Sequence, residues 1–182
     1  MPWNGATGVQ SKQYICGHCG SFVASSAGWM YSNGTQHIYL CTHCEKPTYF
    51  DSAQRPLPGV AFGNNVANVP PDIDALYKEA RTCTSAAAYT ASVLLSRKLL
   101  MNIAVAQGAK PGEPFISYVE YLAANGFVPP NGRGWVDHIR KKGNEATHEI
   151  VFMTDKDAQE LLAFSEMLLK FIYEFPSRVP TT

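Results

Sequence analysis

Cys16-Gly17-His18-Cys19 and Cys41-Thr42-His43-Cys44 decide how this chain is read. The two Cys-x2-Cys pairs stand 21 residues apart, and each spacing fits a tight knuckle whose backbone amides hydrogen-bond thiolates. Four thiolates at about 2.3 Å suit tetrahedral, redox-inert zinc. Residues 21–40, between the pairs, are rich in Ser, Gly, Tyr and Val. There Ser32-Asn33-Gly34 separates Trp29-Met30-Tyr31 from His37-Ile38-Tyr39-Leu40, the pattern of a β-hairpin. Strand, knuckle and hairpin together predict a small β-rich zinc ribbon over residues 1–50, with Cys16, Cys19, Cys41 and Cys44 holding one structural Zn2+ per chain.

Two other readings of the cysteines stay open: a pair of disulfides in a secreted domain, and an iron–sulfur cluster. His18 and His43 lie inside the knuckles, but four cysteines already complete a tetrahedral shell, so both are expected as exposed loop residues. The fifth cysteine, Cys83, falls in a helical pattern and is expected as a core thiol. A ribbon this small buries little apolar surface alone, so metal binding supplies its folding energy. Such ribbons bind nucleic acid, bind protein, or staple a terminus.

The rest of the 182 residues supports a second, larger element. A chain of this length buries roughly 70% of its unfolded surface, enough for a core without disulfides. Apolar residues make up 46% and charged residues 16%, the balance of a globular protein. Lys+Arg 15 against Asp+Glu 15 excludes a generally basic nucleic-acid coat and an acidic disordered tail, though not a local patch. Met1-Pro2-Trp3-Asn4-Gly5 has neither the basic nor the apolar region of a signal peptide. The long apolar stretch from 86 to 106 carries Arg97-Lys98 at its centre, at about 2.5–3.5 kcal/mol each in a bilayer. The expected location is cytoplasmic, with no membrane partner.

Residues 51–71 hold Pro56, Pro58, Pro70 and Pro71 with Gly59, Gly63 and Asn64-Asn65, and read as an irregular linker. Over 72–176 the pattern is helical. Asp72 caps a helix with Ile73, Leu76, Tyr77 and Ala80 on one face. A second helix over 86–107 is apolar nearly all round, which predicts a central buried element ended by Gly108. Pro114 opens a third helix with Phe115, Tyr118, Val119 and Leu122 inward, stopped by Gly126. A fourth is expected over 135–147, and Thr154-x-x-Asp157 opens a fifth whose buried stripe is Ala158, Leu161, Leu162, Leu168, Leu169 and Ile172. The expected fold class is therefore mostly α, a bundle of about five helices behind the ribbon.

One polar stripe needs a purpose. In the run from His138 to Glu149, Arg140, Asn144 and His148 are spaced i, i+4, i+8, about 6 Å apart along one helix face. Gly143 costs about 1 kcal/mol relative to Ala in a helix and points to close approach of another helix or chain. One reading is a solvated basic face with His148 bonded locally. The other is a site where a cation and an imidazole meet an RNA phosphate and move a proton. Arg133, Lys141 and Lys142 make the neighbourhood basic, and Arg97 on the second helix either pairs or snorkels, or supplies a second cation.

Leu76-Tyr77-Lys78-Glu79-Ala80-Arg81, Tyr89-Thr90-Ala91, Leu95-Ser96-Arg97-Lys98-Leu99-Leu100 and Ile139-Arg140-x-x-Gly143-Asn144-Glu145-Ala146-x-His148-Glu149 follow in an order that resembles the family numbered 4145 among domains of unknown function. The resemblance covers about residues 70–175, and members often carry a four-cysteine ribbon in front. That family is similar to HEPN domains, helical modules of prokaryotic defence and toxin systems. The resemblance implies a homodimer in which two helices face each other. It implies metal-independent attack of a ribose 2′-hydroxyl on the adjacent phosphate, with an Arg, a polar residue and a His in the site. Asn144-x3-His148 matches the last two, Gly143 stands where the Arg would be, and Arg140 is the nearest substitute. Met101 stands where an acid is expected in the second-helix motif.

Three functions follow as expectations. The first is a non-catalytic module that binds RNA or a nucleotide through Arg97, Arg133, Lys141 and Lys142. The second is a dimeric endoribonuclease with His148 as general acid/base, Arg140 as phosphate clamp and Asn144 beside them. The third is a scaffold that makes only protein contacts.

Overall fold

The computed structural model describes residues 3–129, 134, 139 and 152–179. The chain divides into two compact units, Met1–Ala61 with Ser85–Ala87, and Phe62–Thr84 with Ala88–Thr182.

In the first unit β1 (Thr7–Ile15), β2 (Phe22–Met30), β3 (His37–Leu40), β4 (Pro47–Phe50) and β5 (Pro56–Leu57) form one antiparallel sheet in sequence order. Short connections leave each strand no partner but its chain neighbour. In β2, Val23 and Ser25 are buried between exposed neighbours, the period-two mark of a sheet with one covered face. The Ser32-Asn33-Gly34 turn closes β2 on β3 with Trp29 opposite Ile38 and Met30 opposite His37, Gly34 taking φ +74°. Gly28 fixes how near these strands come, because a Cβ there would stand 1.8 Å from the Ile38 carbonyl oxygen. Tyr14, Val23, Tyr39 and Phe50 pack with Cys16 and Cys41 under the sheet. Tyr14 and Tyr39 meet the Phe50 ring edge-on, with centroids 5.2 and 5.6 Å away.

The second unit contains α1 (Pro71–Ser85), α2 (Tyr89–Ala106), α3 (Phe115–Ala124) and α4 (Asp155–Leu169). Thr154 caps α4 through a capping box: its hydroxyl accepts from the Asp157 amide, and its own amide donates to the Asp157 carboxylate at 2.9 Å. On α2, Val93, Leu99, Leu100, Ile103 and Ala104 are buried while Leu94 and Val105 are exposed. This helix is apolar nearly all round in sequence but not buried all round, because Leu94 and Val105 on its outer face remain partly exposed. Ser92, inside the core, donates to the Ala80 carbonyl at 2.9 Å and lies 2.7 Å from the Thr84 hydroxyl, which ties α2 to α1 without leaving either hydroxyl dry. After α4 the chain makes a π turn over Lys170–Glu174 and a 3-10 turn over Pro176–Arg178. Among the described residues no helix is long and apolar enough to cross a membrane.

The expectation of a mostly α protein built as a HEPN-like bundle of about five helices is corrected. Among the described residues there are four helices, with 43% of positions helical, beside a five-stranded antiparallel sheet of 18%. Two causes account for the difference. The helix expected over 135–147 falls among residues outside the described ones, where Gly134 and buried Ile139 are the described positions. And the β-rich N-terminal unit, expected as strand, knuckle and hairpin, takes a larger share of the chain, with β1 and β2 each running nine residues.

Residues 51–71 do not behave as one segment. Pro56 and Leu57 pair with Phe50 and Tyr49 as β5. From Phe62 onward the chain belongs to the helical unit. Arg81 of α1 donates to the carbonyls of Phe62 at 2.8 Å and Gly63 at 2.7 Å and holds it there.

Candidate metal centre

The two knuckles are the same turn built twice. Between β1 and β2 the Cys16 amide donates to the Ser21 carbonyl at 2.9 Å, and the Gly20 amide to the Cys16 carbonyl at 2.8 Å. Between β3 and β4 the Cys41 amide donates to the Lys46 carbonyl at 3.0 Å, and the Glu45 amide to the Cys41 carbonyl at 2.9 Å. The residue after the second cysteine is left-handed in both, Gly20 at φ +72° and Glu45 at +60°. Glycine takes that conformation freely, whereas at Glu45 it costs about 1–2 kcal/mol.

Each turn aims amides at sulfur. His18 N–H donates to Cys16 Sγ and His43 N–H to Cys41 Sγ, both at 3.4 Å, and Cys44 N–H reaches Cys41 Sγ at 3.5 Å. Such donors favour the thiolate over the thiol. All four sulfurs lie within 4.8 Å of one another. The pairs Cys16–Cys44 and Cys19–Cys41, one sulfur from each knuckle, stand 3.8 Å apart. A tetrahedron with metal–sulfur bonds of about 2.3 Å has edges of about 3.8 Å. The four cysteines can therefore bind one metal ion. All five cysteines are free thiols, so the disulfide alternative is not adopted.

The thiols do not share one acidity. Burial pushes Cys16 up, and burial with the neighbouring sulfurs raises Cys44 to about 12. The amide and hydroxyl of Ser21 pull Cys19 down to about 5. A cation among them favours the thiolate at every position, since coordinating thiols are deprotonated.

His18 and His43 are exposed, and the cysteine cluster includes neither. His18 Nε2 lies 2.9 Å from the Pro47 carbonyl and ties the first knuckle to β4. Cys83 is half-buried on α1, and burial and the Glu79 charge raise its pKa. Arg97 is half-buried, with its guanidinium 4.4 Å over the Phe115 ring, so it bridges α2 and α3. Arg133, Arg140, Lys141, Lys142, Asn144 and His148 lie outside the described residues.

A cluster that sequence reading missed surrounds Glu166 on α4. Its Oε2 accepts from the Asn64 amide at 2.9 Å and from the Tyr77 hydroxyl at 3.3 Å. Its Oε1 accepts from Asn64 Nδ2 at 3.0 Å and from the Lys170 ammonium. Burial opposes ionisation of Glu166, but the Lys170 and Asn64 donors outweigh it and hold the carboxyl below its ordinary value. The one signal available was Tyr77 and Glu166 at helix positions flanked by apolar residues; Asn64 lies 102 residues from its partner.

Sheet and site together define a four-cysteine unit able to bind a metal ion, followed by a helical domain. The sequence pattern of the domain of unknown function DUF4145 matches residues 78–181, and the chain belongs to that family. The matched span begins within α1, takes in the other described helices and includes none of the four clustered cysteines. No curated protein and no solved structure matches the chain.

Proposed function

We propose that the chain is a zinc-bearing protein of the HEPN type whose helical domain binds RNA or a nucleotide, in a prokaryotic defence or toxin-type system. The sulfur separations of 3.8 Å support zinc, since a single ion sets that edge and a multi-iron cluster spreads its cysteines further apart. For the ligand, the support is the recurrence of Arg140, Asn144 and His148 every four residues, with Arg133, Lys141 and Lys142 nearby, in a chain of that family. The cations would contact phosphate, and the binding would be electrostatic.

RNA binding measured across a salt series tests this reading. Affinity should fall linearly in log–log form, with the slope reduced by about one for each of Arg140→Ala and Lys141→Ala. Salt-independent binding, or none, sinks it in favour of a protein-contact scaffold.

The Asn144-x3-His148 spacing favours a second reading, a metal-independent endoribonuclease acting as a homodimer. Cleavage of total RNA without added divalent cation, lost in both His148→Ala and Arg140→Ala, would establish it. Intact RNA with the wild-type protein would dismiss it.

A further inference from the structure

The helical unit carries a pocket whose lining includes none of the four clustered cysteines. Phe62, Met167, Phe171 and Phe175 form its apolar walls, with Asn64, Glu166 and Lys170 at its polar end. Its volume is about 510 Å³, within the range of small-molecule sites. Two local irregularities shape it. The π turn over Lys170–Glu174, closed by the Phe175 amide on the Lys170 carbonyl at 2.8 Å, turns Phe171 and Phe175 outward into an edge-on pair with centroids 5.4 Å apart. On the opposite wall Gly63 sits at φ +78°, where a Cβ would stand 2.7 Å from Glu166 Oε2, so only glycine brings this loop so near the carboxylate.

The polar end has a definite unused valence. A carboxylate offers about four acceptor positions, and those of Glu166 meet the Asn64 amide, Asn64 Nδ2, Lys170 and the Tyr77 hydroxyl, whose one proton is shared with the nearer Asn64 carbonyl at 3.1 Å. The charge of Glu166 is already paired with Lys170. An ammonium has three N–H donors, and Glu166 takes one of those of Lys170. Lys170 is 27% exposed and lines the pocket, so its remaining N–H donors, beside the Asn64 amide and an aromatic wall, are positioned to meet a ligand.

We infer that this pocket binds a small amphiphilic anion, with a ring or alkyl body against Phe62, Met167, Phe171 and Phe175 and one carboxylate, sulfonate or phosphate on Lys170. Rigid aromatic walls accept the body at little entropic cost, and the ion pair with Glu166 holds Lys170 in place before the ligand arrives.

Anilinonaphthalene sulfonate joins an aromatic body to one anion and fluoresces when its rings leave water, so it serves as the probe. The full chain should bind it saturably at one site. Phenylacetate should displace it, and the uncharged phenylacetamide should not. Lys170→Gln should weaken probe binding about tenfold, the scale of a lost charge-assisted hydrogen bond, and Phe171→Ala by several-fold. Lys156→Gln, at an exposed position of the same helix, should leave it unchanged. Equal displacement by phenylacetate and phenylacetamide, equal effects of the two lysine variants, or no saturable binding would overturn the inference. Should Lys170→Gln fail to fold by circular dichroism, the acid–amide comparison and Phe171→Ala still decide it.

Discussion

The two units reach a folded state by different means. Under the sheet, the buried cluster among the described residues is six side chains, two of them cysteines of the group that can hold a metal. In the helical unit the corresponding cluster has twenty-three members, dominated by Leu, Val, Ile and Ala. Burying a leucine contributes about 1.5–3 kcal/mol, so the second unit has an apolar driving force that the first lacks. Tyr14, Tyr39 and Phe50 compensate in part by edge-on packing, but they cover one face of a thin sheet. A metal ion held by the four cysteines would do in the first unit what the leucines do in the second.

Removing the ion is the largest available blow to that contrast. Structural zinc contributes an apparent 10–16 kcal/mol or so at neutral pH in small metal-dependent domains. Cys41→Ser should unfold the sheet, shift the Trp29 emission and lower metal content, while the helical circular dichroism persists. Elemental analysis of the wild type should give about one zinc per chain. A metal-free chain that keeps its sheet would remove the asymmetry altogether.

Leu100→Ala attacks the same comparison from the other side. Leu100 is 0% exposed on α2, and truncating it should cost the helical unit about 2–5 kcal/mol. Thermal unfolding of the helices should shift down while zinc content stays at its wild-type value. Gly28→Ala ranks next, at about 1–3 kcal/mol, because its Cβ would meet the backbone of Ile38 rather than a movable side chain. Its expected readout is earlier melting of the sheet with metal still bound, since the substitution parts β2 from β3 without touching a sulfur.

Legibility in the sequence followed the range of the interactions. The cysteine cluster was readable because Cys-x2-Cys closes within one turn and its ligand chemistry is local. The capping box at Thr154 and Asp157 was readable for the same reason. The full extent of β1 and β2 was not, because TGVQSKQYI and FVASSAGWM are rich in Ser, Ala, Gly and Gln, and cross-strand pairing rather than propensity makes them strands. Leu94 and Val105 misled the reading of α2, since composition counts an apolar residue whether or not something covers it. The pocket at Asn64 and Glu166 was illegible in principle, for it exists only once the chain returns on itself. Arg140, Asn144 and His148 belong to neither list, lying outside the described residues.

The smallest expected effect distinguishes how each unit uses charge. Glu166 is held ionised below its ordinary value of 4.5 by its hydrogen bonds, so the folded state releases its proton more readily than the unfolded chain does. Its contribution is therefore complete above the ordinary value and is lost as pH falls through the lower folded value. Glu166→Gln keeps one acceptor oxygen in place of two and leaves Lys170 without its counter-charge, at about 1–2 kcal/mol near neutrality. Followed by helical circular dichroism, the wild type should lose stability below about pH 4.5 more steeply than the variant, and the gap between them should narrow there. A gap that stayed constant with pH would show that Glu166 acts in the fold as a hydrogen-bonding shape, not as a charge.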